Sequence, residues 1–153
     1  MAKYNQLFED HEEMFTRLIT DADLNRYMSI AVLSNNTAKK LYTVTKPNDL
    51  HTYRSGDDVI IVINEKIFEK LPPEQQLIAA ESAVSFISFD TDKDKIVITK
   101  PDFEAHRDIL RKYSFEIIET FEESVKSLYK AEKEAEDASN AITKKAKKLK
   151  NNY

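Results

Sequence analysis

The chain has 153 residues, 41% of them hydrophobic and 33% charged, and a net charge of −4, which describes one ordinary domain with a core and a surplus of charge suited to a long exposed helix or tail. It contains no cysteine and a single glycine, Gly56. Those counts exclude disulfides, thiolate catalysis, cysteine zinc sites and glycine-rich phosphate loops, and the negative charge argues against a chain built as a whole to attract nucleic acid.

The opening stretch from Met1 to Phe15 has no basic segment followed by an apolar run, so no signal peptide is expected. No apolar run approaches the roughly 20 residues of a membrane span. Between residues 4 and 20, Leu7, Phe8, His11, Met14, Phe15, Leu18 and Ile19 recur at three and four, which predicts an amphipathic helix. Asp21 and Asp23 mark its end. The segment from Asn25 to Leu33 fits a short helix or a strand, with helix preferred, and residues 34–37 form a turn.

Residues 41–46, LYTVTK, alternate and are β-branched, predicting a strand that ends at Pro47. Residues 48–57 read as a loop around Gly56. Residues 58–64, DVIIVIN, carry the strongest strand signal, and their unbroken apolar run predicts a central strand covered on both faces. A helical turn over 65–70 follows, with Ile67, Phe68 and Leu71 pointing inward. Pro73 then opens a helix over 74–88, because proline suits a first helical turn. Within that helix Glu81 is the only charge between Gln75 and Ser88. A polar turn at 90–95 leads to a short strand at 96–99. Pro101 is expected to start a helix running to about Lys148, with a break near Tyr113 and Ser114.

In that last helix Ile118, Phe121, Val125 and Leu128 form an apolar stripe. The same register then meets Glu132, Ala135, Ser139, Ile142, Ala146 and Leu149, a much thinner series. The expected division is therefore an α+β domain over 1–129, with a small sheet of about three strands (41–46, 58–64 and 96–99) packed on the central helix at 74–88 beside an N-terminal helix and a long C-terminal helix, and a charged helical tail over 130–153. The tail should project, fray or pair with another chain as a coiled coil. Its charge is acidic first (Glu132, Glu134, Glu136, Asp137) and basic last (Lys144, Lys145, Lys147, Lys148, Lys150), the order that complements the helix dipole.

Few residues carry a chemical signature. His11, His51 and His106 are far apart, and no two stand at the i, i+4 spacing that places two imidazoles on one metal. Asp90, Asp92 and Asp94 begin like a calcium loop, but Lys95 stands where the loop needs glycine and Pro101 where it needs a bidentate acid, so a solvated turn is the better reading. No serine sits in a nucleophile elbow. The lysines at 144–150 read first as a solvated helix end and second as a phosphate contact.

From the strand DVIIVIN through LPPEQQ, the helix, the turn SFDTDKDK, IVITKPDF and HRDILRKYS, residues 41–114 resemble a family of tailed-bacteriophage metallopeptidases with a minimal zincin-like fold. That family carries H-E-x-x-H on the helix. Here Glu81 keeps the glutamate position, while Ala80 and Val84 stand where the histidines would be. In the family's chemistry the glutamate acts on metal-bound water, and a lone carboxylate does not deprotonate bulk water usefully at neutral pH. The resemblance thus implies a degenerate, non-catalytic relative with Glu81 as a remnant and with no cofactor. It would serve as a virion structural, assembly or interaction component, located in the virion or the host cytoplasm, with protein partners that include other virion proteins or itself. Those partners would be contacted through the tail from Lys130 to Tyr153, with Lys144, Lys145, Lys147, Lys148 and Lys150 included, and through the exposed part of the C-terminal helix. Two alternatives stand beside it. One is a metal-dependent hydrolase with a rearranged site of Glu81, Asp102 and His106, the last two one helical turn apart. The other is a nucleic-acid accessory protein working through Lys144, Lys145, Lys147, Lys148 and Lys150. Independently of any family, Glu81 is expected either to snorkel to the surface or pair with a lysine or arginine such as Arg107 or Arg111, or to be a buried acid with a raised pKa.

Overall fold

The computed structural model describes residues 3–100 and 106–151, with Arg107 and the last four residues as backbone. It is an α+β fold. The elements run β1 (Asn5–Gln6), α1 (Glu9–Asp21), a 3-10 turn (Leu24–Arg26), β2 (Ile30–Ser34), β3 (Tyr42–Thr45), α2 (Asp49–Ser55) and β4 (Val59–Ile63). They continue with α3 (Glu65–Lys70), α4 (Pro73–Val84), β5 (Ile87–Asp90), β6 (Lys95–Ile98), α5 (Arg107–Lys112) and α6 (Phe115–Asn151).

Four strands make one mixed sheet in the order β1-β2-β4-β3, with β2 parallel to β4 and both outer pairs antiparallel. β4 is therefore an inner strand, as expected, and shares the middle of the sheet with β2. Side chains alternate across a strand, so the register sorts them into two faces. Val59, Ile61 and Ile63 share the core face with Ile30, Val32, Val44 and Tyr42. Ile60 and Val62 stand on the other face and are only partly covered, so burial on both faces is incomplete. The core beneath the sheet combines these side chains with Phe15, Ile67, Phe68 and Ile78.

Several expected elements are corrected. Residues 30–34 form β2 where a helix over 25–33 was preferred, because Ile30–Ser34 pairs residue for residue with Val59–Ile63. Residues 5 and 6 pair with Leu33 and Ser34, so the first helix begins only at Glu9. The sheet does not contain the 96–99 strand. Lys95–Ile98 instead pairs with Ile87–Asp90 in a separate hairpin, which ends α4 at Val84 and makes Ile87 a strand residue. Its turn is closed by the Asp90 carboxylate, which accepts from the amides of Asp92 and Lys93. Residues 49–55 form α2 rather than loop, with the Asn48 side chain capping its start and Gly56 closing it at φ 79°.

Other expectations are met. α3 occupies 65–70 with Ile67 and Phe68 buried. Pro73 stands in the first turn of α4. The Gln76 side-chain amide reaches back to the carbonyls of Phe68 and Leu71, which satisfies acceptors left at the end of α3. A break at Tyr113 and Ser114 separates α5 from α6. The expected helix start at Pro101 lies outside the described residues.

The second half of α4 is mostly apolar and is enclosed, with Ile78, Ala79, Ala80, Ala83 and Val84 buried, and the helix contacts α1, α3, β3, α5 and α6. α6 packs on this body through Ile118 and Phe121, with Val125, Leu128 and Tyr129 partly buried. The Tyr129 hydroxyl and the Asn64 amide both donate to the Ala38 carbonyl, tying α6 to the turn after β2.

Candidate functional site

Glu81 leaves α4 on the side facing α5. Its side chain is 10% accessible. One carboxylate oxygen meets the Lys112 ammonium at 2.5 Å and the other accepts the Tyr113 hydroxyl at 3.0 Å. The expected pairing with a lysine or arginine is present, and the partner is Lys112 rather than either arginine given as an example, Arg107 or Arg111. A neighbour at the C-terminal end of α5 reaches Glu81 because α4 and α5 pack together. Burial pushes the Tyr113 phenol up to about 12, assisted by its hydrogen bond to Glu81 and by the charges of Glu81 and Glu74.

The positions flanking Glu81 face the core. Ala80 is 0% and Val84 7% exposed. Ser82, also buried, hydrogen-bonds the Tyr42 phenol, which burial raises above its ordinary pKa with a contribution from Glu122. The residues around Glu81 on its helix therefore pack against neighbours rather than opening onto a cleft.

Of the proposed rearranged set, Asp102 lies outside the described residues. His106 is the N-cap residue of α5, with its ring edge-on to Phe86 at 4.6 Å between centroids. Glu81 is engaged at the other end of α5. Six helical residues span about 9 Å, so the helix axis separates His106 from the groups that hold Glu81. Among the described residues no three histidine, aspartate or glutamate side chains are grouped to hold a metal ion.

The tail residues stand apart from this region. Every described side chain from Lys133 to Lys147 is exposed, Lys144, Lys145 and Lys147 among them; the side chains of Lys148 and Lys150 lie outside the description. Among the described side chains of α6, the last tied to the body by an ion pair is Glu132, which bridges Lys66 at 2.8 Å and Lys70 at 2.5 Å. These two lysines hold its carboxyl below the ordinary range. The sequence contains the signal for this bridge, since Lys66 and Lys70 are one helical turn apart and Glu132 falls in the packing register. It could not show that the two helices meet.

Two open grooves flank α6. One, of about 750 Å³, runs along β3 and includes Lys39, Lys40, Phe86, Val125 and Lys126. The other, of about 1150 Å³, lies between α6 and the 36–39 turn and includes Lys66, Glu132, Ala135 and Ser139. Neither contains Glu81 or His106 in its wall. Among the described residues no helix is long and apolar enough to cross a membrane. Comparisons with protein-family models, with curated proteins and with solved structures find no match to this chain.

Proposed function

We propose that the chain is a non-catalytic binding protein, a metallopeptidase-like scaffold that acts in a phage virion or its assembly through α6. The observation that carries this reading is the state of the α4 motif. Glu81 spends both carboxylate oxygens on Lys112 and Tyr113, and the two positions that would bear metal-binding imidazoles are core positions. A glutamate so tied is a structural tether between α4 and α5 rather than a base aimed at a water. The phage setting follows from the sequence resemblance. The choice of α6 as the contact element follows from its exposed, charged half.

The test is affinity capture of the tagged protein from its native lysate, with and without nuclease, comparing the full chain with a deletion of 130–153. Virion proteins retained after nuclease and lost on deletion support the reading. Binding that survives the deletion undiminished overturns the role of α6. Partners lost on nuclease treatment move the assignment to nucleic acid held by the lysines at 144–150, and such binding should weaken steeply with salt.

A further inference from the structure

The exposed half of α6 poses a physical problem. From Lys133 to Asn151 it is helical, a rise of about 28 Å, without a buried side chain among those described. In proteins most helical stability comes from packing an apolar face, and this half packs none on the body. Ile142 stands in the middle of it at 69% exposure. Around Ile142, residues Ala131, Ala135, Ala138, Lys145 and Leu149 repeat at four and three, a heptad seam on one face. Lys145 is the one charged residue in the seam.

The charge along this half is ordered. Three acids (Glu134, Glu136, Asp137) and one lysine (Lys133) fall between 133 and 137, and five lysines fall between 144 and 150. Two parallel copies would set acid against acid and lysine against lysine. Two antiparallel copies set each acidic block against the other's basic block. The seam agrees with that choice. When Ala131 faces Leu149, Ala135 faces Lys145 and Ala138 faces Ile142, so both the seam and the charge blocks are centred at about residue 140. In that register Glu134 of one copy flanks the seam beside Lys148 of the other. The small alanines let the two backbones approach closely, and the Lys145 stem lies over Ala135 while its ammonium reaches solvent.

We infer that the partner fitting this face of α6 is a second copy of the same chain, paired antiparallel over residues 131–149. The inference deepens the proposed function, since it rests on α6 being the contact element and names one thing that it contacts. With an alanine-rich seam and charge-driven register, the association is weak and salt-sensitive. It favours high local concentration, as in an assembling structure.

The test uses the purified, nuclease-treated full chain, in which any introduced cysteine is the only thiol. Ala141→Cys places a thiol beside the predicted dyad and should cross-link to itself under mild oxidation. Glu134→Cys alone and Lys148→Cys alone should not, whereas a mixture of the two should. Sedimentation of the cysteine-free chain should move from the 17.7 kDa monomer toward twice that mass as concentration rises at low salt. Reversing Glu134 and Glu136 to lysine should weaken the association about tenfold, the effect of roughly 1.4 kcal/mol. Self-linking of Glu134→Cys as efficient as that of Ala141→Cys would mean a parallel pair and overturn the inference. So would a chain that stays monomeric at every concentration and cross-links at none of these positions. Neither result touches the lysate capture above, which fails or succeeds on other partners.

Discussion

Among the described residues Glu65 is the buried carboxylate. It is 4% exposed, yet its carboxylate accepts the Phe8 amide at 2.9 Å and lies 2.7 Å from His11 Nδ1. Both partners sit at the start of α1, where an anion also satisfies the helix dipole. No capping side chain is supplied by Phe8 itself, so a residue 57 positions away performs the capping. Glu65→Ala should lower the unfolding free energy by about 3 kcal/mol, since it strands the His11 ring and a helix-end amide together. Glu65→Gln should cost less, because the amide oxygen still accepts from Phe8; denaturant unfolding of the two variants checks the order. Phenols supply the pH dependence. Tyr113 and Tyr129 are both pushed up to about 12 from 10, chiefly by burial. An acid whose folded pKa is raised contributes stability that is complete below its unfolded pKa and is lost as pH climbs through the folded one. Stability should therefore fall between pH 10 and 12, and Tyr113→Phe with Tyr129→Phe should flatten that fall in urea titrations at stepped pH. An unchanged slope would mean that these phenols ionise alike in both states.

At the scale of elements, α4 is the part whose role the sequence left most open. A helix with one carboxylate beyond its first turn fits a catalytic remnant or a structural strut, and periodicity does not separate them. Packing does bear on it: Ala80 and Val84 lie against neighbours that leave little room for an imidazole. The double substitution Ala80→His and Val84→His should cost at least about 3 kcal/mol through overpacking and buried ring nitrogens, and zinc should not restore the loss. Thermal unfolding with and without zinc measures this; a variant that folds and binds one zinc would show a catalytic helix held in reserve. The break between α5 and α6 was legible because Tyr113-Ser114 interrupts an otherwise continuous helical pattern. The end of α4 was not. Its last predicted turn, Ser85–Ser88, is compatible with helix, and the hairpin partner Lys95–Ile98 wins because strand preference depends on the neighbour that a strand finds.

For the whole molecule, α6 joins a packed half to an exposed half, with Glu132 and its two lysines at the junction. Ending the chain after Lys133 should leave the thermal midpoint within about 3 °C of the full chain while helical ellipticity drops, because the residues removed bury little. Ending it after Ser114 should abolish cooperative unfolding, since Ile118 and Phe121 leave the core with it. Circular dichroism melts of both truncations make the comparison. The sequence by itself determined what local chemistry can determine. β4 follows from an unbroken β-branched run, the start of α4 from two prolines, α3 and the apolar half of α6 from their spacing, and the α+β class from their sum. Tertiary structure alone decided which strands share a sheet, that residues 30–34 are extended, that Glu65 caps α1, and that Lys112 and Tyr113 hold Glu81. Each of those depends on groups tens of residues apart meeting at hydrogen-bond distance. No local pattern records such a meeting, because its energy arises only when the chain closes on itself.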